Sequence, residues 1–289
     1  MNNEGDARIA IIGGGHMARA LIGGLLRQGV AAHQLCVGEP QPAARATLER
    51  ELGVRTTADN AEAVRDAAVV VLAVKPQIAV QVLRNLHAGM QGRPPVLLSI
   101  VAGLRLADLT RLCPDAMPIV RAMPNRAALI GAGITGLYAG ADVTAAQRGV
   151  AERVARAAGR IVWLSRESEL DIVTALSGSG PAYFFLLAEH MARAAVALGL
   201  ERDTATVLAV ETLHGAGVLA RGNATLAEER AAVTSKGGTT EAALKVLAEG
   251  GFEALVASAL QAGAARSAEL ADSLAAASGA TASTQDSRV

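Results

Sequence analysis

Aromatic side chains are nearly missing from this chain: three Phe, two Tyr and one Trp make up 2 % of its 289 residues. With 51 % apolar composition, the core must therefore be built from Ala, Val, Leu and Ile. An excess of one charge is missing as well. Twenty-seven basic side chains face twenty-seven acidic ones, which argues against nucleic acid as a partner, since that needs a net positive face. Long hydrophobic runs are also absent. Residues 67–74 are among the longest and fall far short of the roughly 20 that a membrane span requires, so no membrane is expected. Cysteine is confined to Cys36 and Cys113, each in an apolar segment. The opening Met1-Asn2-Asn3-Glu4-Gly5-Asp6 lacks the basic and apolar regions of an export signal. The expectation is a cytoplasmic protein with reduced core thiols. The five histidines, His16, His33, His87, His190 and His214, are scattered without metal-ligand spacing. No metal is expected, and neither a G-x-S-x-G elbow nor a Walker pattern occurs.

The chain has room for roughly two domains of about 100–200 residues each. In the first 165 residues, short aliphatic or β-branched segments (8–12, 35–38, 69–74, 96–101, 119–122 and 160–164) alternate with helical ones (17–28, 42–52, 77–86 and 145–158). Apolar strands separated by helices predict a parallel sheet covered on both faces. Residues 7–165 are thus expected to form an α/β Rossmann-like doubly wound sheet. The Gly-rich, β-like stretch 129–138 is expected to extend it as an antiparallel edge.

After Trp163 the strand pattern ends, and residues 169–198, 204–220 and 241–270 predict long helices. Several are apolar on more than one face, as in Val207-Leu208-Ala209-Val210. A lone helical domain of this size has too few surfaces to hide them. Residues 166–270 are therefore expected to form an all-α dimerisation domain that packs against a second copy of the chain. From Ala271 the sequence turns Ser/Ala/Thr-rich, and residues 271–289 are expected to be a disordered tail.

The sharpest motif is Gly13-Gly14-Gly15-His16-Met17-Ala18, placed between the first strand and the first helix. It fits G-x-G-x-x-[G/A] in the context that gives the pattern meaning. Gly13 permits the tight turn, Gly15 lets the backbone approach a pyrophosphate, and Ala18 allows close helix–sheet packing. The pyrophosphate would sit on free N–H groups at a helix N-terminus. At the end of the second strand, Glu39 favours a ribose hydroxyl, whereas Arg45 could meet a 2′-phosphate. The two pull in opposite directions and leave nucleotide preference open. Lys75 lies just past an apolar strand, at the edge where open α/β sheets bind ligands. The small residues of Ser99-Ile100-Val101-Ala102-Gly103 would let a flat ring approach.

Two glycine clusters mark the second domain. Ser177-Gly178-Ser179-Gly180-Pro181 could kink a long helix or start a new one at Pro181. Thr234-Ser235-Lys236-Gly237-Gly238-Thr239-Thr240 precedes a helix, and its hydroxyls and backbone N–H groups suit a small carboxylate. A plain Ser/Thr helix cap is the bland alternative.

Together these residues resemble the pyrroline-5-carboxylate reductases. The resemblance runs through Ile12–Met17, Ala73-Val74-Lys75-Pro76-Gln77, Arg121-Ala122-Met123-Pro124-Asn125, Ser177–Tyr183 and Val233–Thr240. It implies reduction of 1-pyrroline-5-carboxylate to L-proline, the last step of proline biosynthesis, with NADPH or NADH. The nucleotide would contact Ile12, Gly13, Gly14, Gly15, His16, Met17, Asn60, Ala73, Val74, Lys75, Pro76 and Ala102. The substrate would lie at a dimer interface, its carboxylate held around Ser235, Gly238, Thr239 and Thr240. Thr240 would face the ring nitrogen as the catalytic residue, with Glu167 near the substrate. The assembly implied is a homodimer, with a decamer as the larger form. Three departures stand out. His16 replaces the family's usual Asn, Arg126-Ala127 replace Thr-Pro, and Lys236 replaces Pro. The second is expected to loosen its loop. Two other readings stay open: a related imine or 2-hydroxy-acid oxidoreductase, and a non-catalytic dinucleotide sensor.

Overall fold

The computed structural model describes residues 7–86, 90, 94–113 and 117–283. Residues 1–6, His87 and residues 284–289, each part of an expectation above, lie outside these. The chain divides into two compact units, residues 1–178 with 263–289, and residues 179–262.

The first unit is built on an eight-stranded sheet. Its strands are β1 (Arg8–Ile12), β2 (Leu35–Gly38), β3 (Arg55–Thr57), β4 (Ala67–Leu72), β5 (Val96–Ser99), β6 (Ile119–Met123), β7 (Gly133–Ala139) and β8 (Gly159–Trp163). They lie in the order β3-β2-β1-β4-β5-β6-β7-β8. Every pairing is parallel except β6 with β7. The doubly wound expectation holds, with two corrections. The short β3 escaped the sequence reading, and β7 is antiparallel but not an edge, because β8 pairs outside it. Its direction follows from the connection. Residues 124–132 form only a 3-10 turn (Arg126–Ile130), and a parallel return needs a crossover of a dozen or more residues.

Strand periodicity sorts the core into two layers. Ile9 and Ile11 of β1, Val69 and Val71 of β4, and Leu98 of β5 face one way. They pack under α1 (His16–Arg27), α2 (Pro42–Leu52) and residues of a later helix, Ala145–Arg156. Ala10, Ile12, Val70, Leu72 and Leu97 face the other. This layer is covered by the four-residue α3 (Asn60–Ala63), α4 (Pro76–Leu86) and α5 (Leu106–Leu112). Alternate side chains pointing to opposite faces, both apolar, are the mark of a sheet buried on both sides. The helix Ala145–Arg156 is α6, and its Thr144 caps it through a hydroxyl that accepts from Gln147 N.

The remaining helices are α7 (Glu169–Val173), α8 (Gly180–Ala197), α9 (Arg202–Leu219), α10 (Leu226–Ala232), α11 (Thr239–Glu249) and α12 (Phe252–Ser283). Between α7 and α8 the chain makes a π-turn at Thr174–Gly178, and Pro181 sits in the first turn of α8. The glycine cluster thus both distorts one helix and starts another, at the boundary between the units. The predicted helix over 241–270 is two helices, broken at Gly250-Gly251, where Gly251 has φ 75°. The expected disordered tail is corrected by α12, which continues through Ser283. Ala271 is buried, and Asp272 takes a salt bridge of 2.6 Å from Arg105. Ala-rich composition favours helix once such contacts exist.

In the second unit few apolar side chains are buried. Phe184, Phe185, Val207, Leu208, Val218 and Val246 are all more than half exposed. The stretch Glu169–Ala197 is also long and apolar enough, by length and composition alone, to cross a membrane. Counting uninterrupted runs overlooks it because Ser177, Ser179 and Glu189 divide it.

Candidate active site

The first half of the site forms at the carboxyl edge of the sheet, where β1 lies between β2 and β4 and the strand order reverses. Ligands of open α/β sheets bind at that switch point. Gly13 has φ 100°, donates its N–H to Gly38 O at 2.8 Å, and comes so near β4 that an added Cβ would lie 2.7 Å from Ala73 O. Only glycine suits that position. At Gly14 an added Cβ would lie 2.9 Å from Leu48 Cδ1. Gly15 differs: its φ is −70°, and nothing lies within 4 Å of an added Cβ. No backbone strain requires glycine there, so what it preserves is open space. Gly15 precedes α1 without a side-chain cap bond, and Ala18 is fully buried against the sheet. Uncapped N–H groups beside open space fit a pyrophosphate. His16 is exposed and Met17 half-buried on the same first turn.

Across the crevice, Ala73 N donates to Ile12 O at 2.9 Å, and Ala73 and Val74 are half-buried. Lys75 is exposed and Pro76 opens α4. Ala102 is exposed just past β5. Asn60 opens α3, and its Oδ1 is buried without a hydrogen-bond partner among the described residues. The sequence-derived nucleotide residues are therefore brought to one edge of one sheet.

Glu39 and Arg45 are engaged at the same edge. Glu39 Oε2 accepts from Gly14 N at 2.9 Å and Oε1 from Gln41 N at 3.0 Å. Arg45 Nη1 donates to the carbonyls of Glu39 and Pro40, both at 2.9 Å.

Glu167 has a structural task. Its Oε1 accepts from Leu106 N at 2.5 Å, holding the start of α5, and from Arg121 Nη1 at 2.7 Å. Arg121 was legible only as part of a motif, and its pairing with a residue 46 positions away carries no local signal. Asn125 is buried and ties two segments, donating to Ser177 O at 3.1 Å and accepting from Ile134 N at 3.3 Å. The loop expected to loosen at Arg126-Ala127 is instead a hydrogen-bonded 3-10 turn, closed by Ala128 N to Asn125 O and Gly131 N to Ala128 O. Arg126 itself is exposed.

The second unit gathers Ser235, Gly238, Thr239 and Thr240 at the start of α11. Gly238 is the N-cap residue, with no side-chain cap bond. Thr240 is therefore the second residue of the helix, within its first turn, and the bland reading of it as a cap fails. Gly237 has φ 72° and donates to Glu241 Oε2 at 2.7 Å, while Gly238 N closes a turn onto Ser235 O at 3.0 Å. Ser235 Oγ lies so close to Gly238 that no Cβ would fit there. Lys236 is exposed and Thr240 half-buried. The free backbone N–H groups of an uncapped helix start, with hydroxyls beside them, offer donors suited to a small anion, next to a Glu241 carboxylate that already takes the Gly237 N–H.

Residues 167–270 match the family model described as pyrroline-5-carboxylate reductase dimerisation, and residues 8–103 match NADP oxidoreductase coenzyme F420-dependent. A pyrroline-5-carboxylate reductase of Pseudomonas aeruginosa is 47 % identical over 92 % of this chain and 98 % of its own. One from Mycobacterium tuberculosis is 42 % identical over 92 % of this chain and 97 % of its own. The structure of a pyrroline-5-carboxylate reductase from Coxiella burnetii superposes with a TM-score of 0.88 at 38 % identity, covering 92 % of this chain and 98 % of that one. A pyrroline carboxylate reductase of Plasmodium falciparum with NADP bound gives 0.78 at 26 % identity, covering the same shares. With a glycine-rich turn after β1, an uncapped start to α11 and these likenesses along nearly its whole length, the chain belongs to the pyrroline-5-carboxylate reductase family.

Proposed function

We propose that this protein reduces 1-pyrroline-5-carboxylate to L-proline with NADPH or NADH, the closing step of proline biosynthesis. The observation that carries the reading is the pair of binding features the chain provides. One unit holds a turn with vacant space at Gly15 for a dinucleotide, and the other holds an uncapped helix start for a small carboxylate. When bound, the reduced nicotinamide supplies a hydride to the carbon of the C=N bond, while the nitrogen carries a proton, so that a secondary amine results. The chain's own residues bind and orient. The N–H groups at the start of α1 hold the pyrophosphate, and Ala73–Pro76 and Ala102 border the nucleotide. Ser235, Gly238 and Thr239 hold the substrate carboxylate. Thr240 Oγ1 is assigned to the ring nitrogen, orienting and polarising the imine. Such chemistry depends on positioning and charge stabilisation and needs no histidine base. Glu167 serves through Arg121 and α5, as a positioning residue.

The exposed apolar side chains of the second unit support a homodimer as the smallest working assembly, with dimers stacking into a decamer. Light scattering is expected to give two or more chains. A cytoplasmic location suits the thiols, since Cys36 and Cys113 are both free and burial pushes the Cys113 thiol up to about 12. To test the activity, purified protein is mixed with reduced nicotinamide nucleotide and 1-pyrroline-5-carboxylate. Nucleotide oxidation is expected to match proline formed one for one. Oxidation without proline would point to the other imine or hydroxy-acid reading, and nucleotide binding without oxidation to a sensor.

A further inference from the structure

We infer that Glu39 makes this protein discriminate against the 2′-phosphate of NADPH, so that NADH is its preferred nucleotide. The inference rests on reading the Gly13–Gly15 turn as the nucleotide site and adds which nucleotide that site takes. From sequence, Glu39 and Arg45 compete. The structure separates them. The two Glu39 carboxylate oxygens are each held by one backbone N–H, Oε2 by Gly14 N (2.9 Å) and Oε1 by Gln41 N (3.0 Å). Gly14 is itself part of the phosphate turn, so the carboxylate is registered to the place where the adenine ribose must lie. Each oxygen keeps a lone pair for a ribose hydroxyl, which donates. Arg45 is engaged by the backbone of the same loop: its Nη1 donates to the carbonyls of Glu39 and Pro40.

A 2′-phosphate has only acceptors and negative charge to offer at neutral pH. Placed against Glu39 it would meet like charge, or else would displace the carboxylate from both N–H groups. A 2′-hydroxyl gains a charge-assisted hydrogen bond without moving either residue. The difference between one such bond and a like-charge contact is about tenfold or more in affinity.

The test is calorimetric titration of the whole protein with NADH and with NADPH, no imine present. NADH is expected to bind about tenfold or more tighter. Glu39→Gln should narrow the ratio to about threefold or less, by weakening NADH and strengthening NADPH. Arg45→Met should leave the ratio unchanged. Adenosine 2′,5′-bisphosphate and 5′-AMP, titrated as fragments, should repeat the order. NADPH binding as tightly as NADH overturns the inference while leaving the site intact. A selective loss of NADPH affinity in Arg45→Met also overturns it, by making Arg45 the phosphate's partner. Failure to bind either nucleotide overturns the site and the inference together.

Discussion

Gly13 and Gly15, in the turn proposed to take the nucleotide, should respond to substitution in opposite ways. Gly13→Ala adds a Cβ 2.7 Å from Ala73 O, on a residue whose φ is 100°. Forcing an L side chain into such a conformation costs about 1–3 kcal/mol, and overpacking between two central strands costs about 1–3 kcal/mol more. At about 2–4 °C per kcal/mol, the thermal midpoint should fall by about 4–24 °C. Gly15→Val adds side-chain atoms where nothing lies within 4 Å, at φ −70°. Its midpoint should fall by only a few degrees, because the loss is that of a glycine N-cap, about 1 kcal/mol, with no clash and no backbone strain. Nucleotide binding, however, should disappear, since the new side chain fills the space a pyrophosphate needs. Differential scanning fluorimetry and calorimetric titration on the same preparations read both effects. Unchanged nucleotide affinity in folded Gly15→Val would refute the assignment of that space. A Gly13→Ala midpoint equal to the parent's would refute the steric argument.

Thr240→Ala should lower turnover toward or somewhat below the 10²-fold end of what one preorganised donor is worth, about 10²–10³. Its thermal midpoint should hold, because Gly238 and not Thr240 is the N-cap; normal turnover with a lowered midpoint would sink its role. Glu167→Gln leaves Arg121, whose side chain is 12 % exposed, without its anion. The expected loss is about 2–3 kcal/mol in denaturant melts, partly recovered when Arg121→Met is added; no recovery would mean the pair is not what α5 depends on. Glu152 is held below the usual carboxylate range by the hydrogen bond from Trp163 Nε1 (2.9 Å) and then by Arg156. Its stabilisation is therefore full above the ordinary carboxylate value of 4.5 and is lost as pH falls through the lower folded value. Trp163 is the chain's only tryptophan, so its emission should step in that acid range, and Glu152→Gln should abolish the step. A step that survives the substitution belongs to another group.

What could be read from sequence was what is local. Ile12 through Ala18 carry strand end, turn and helix start within seven residues, and each glycine's reason is set by its immediate surroundings. The same holds for α2, whose start at Pro42 and stop before Gly53, at φ 65°, are both written in residue type. What escaped depends on distant partners. The three-residue β3 has no periodicity to detect and exists because Cys36–Gly38 offers it a ladder. The placement of β7 inside the sheet depends on β8 pairing beyond it, which no feature of residues 129–138 announces. The tail read as disordered because Ser, Ala and Thr dominate it, yet Arg105, 167 positions earlier, anchors it at Asp272. Glu167 was recognised by its place in the family, and its partners Arg121 and Leu106 became visible only when β6 and α5 were in place.

The most direct test of the account follows the hydride itself. Reduced nicotinamide nucleotide carrying deuterium at the transferable position is mixed with 1-pyrroline-5-carboxylate and the protein, and the proline is examined by mass spectrometry and NMR. The expected result is L-proline bearing a single deuterium on the carbon that had been doubly bonded to nitrogen. Absence of proline, or proline without the label, would contradict the assignment of this chain as a nicotinamide-dependent imine reductase.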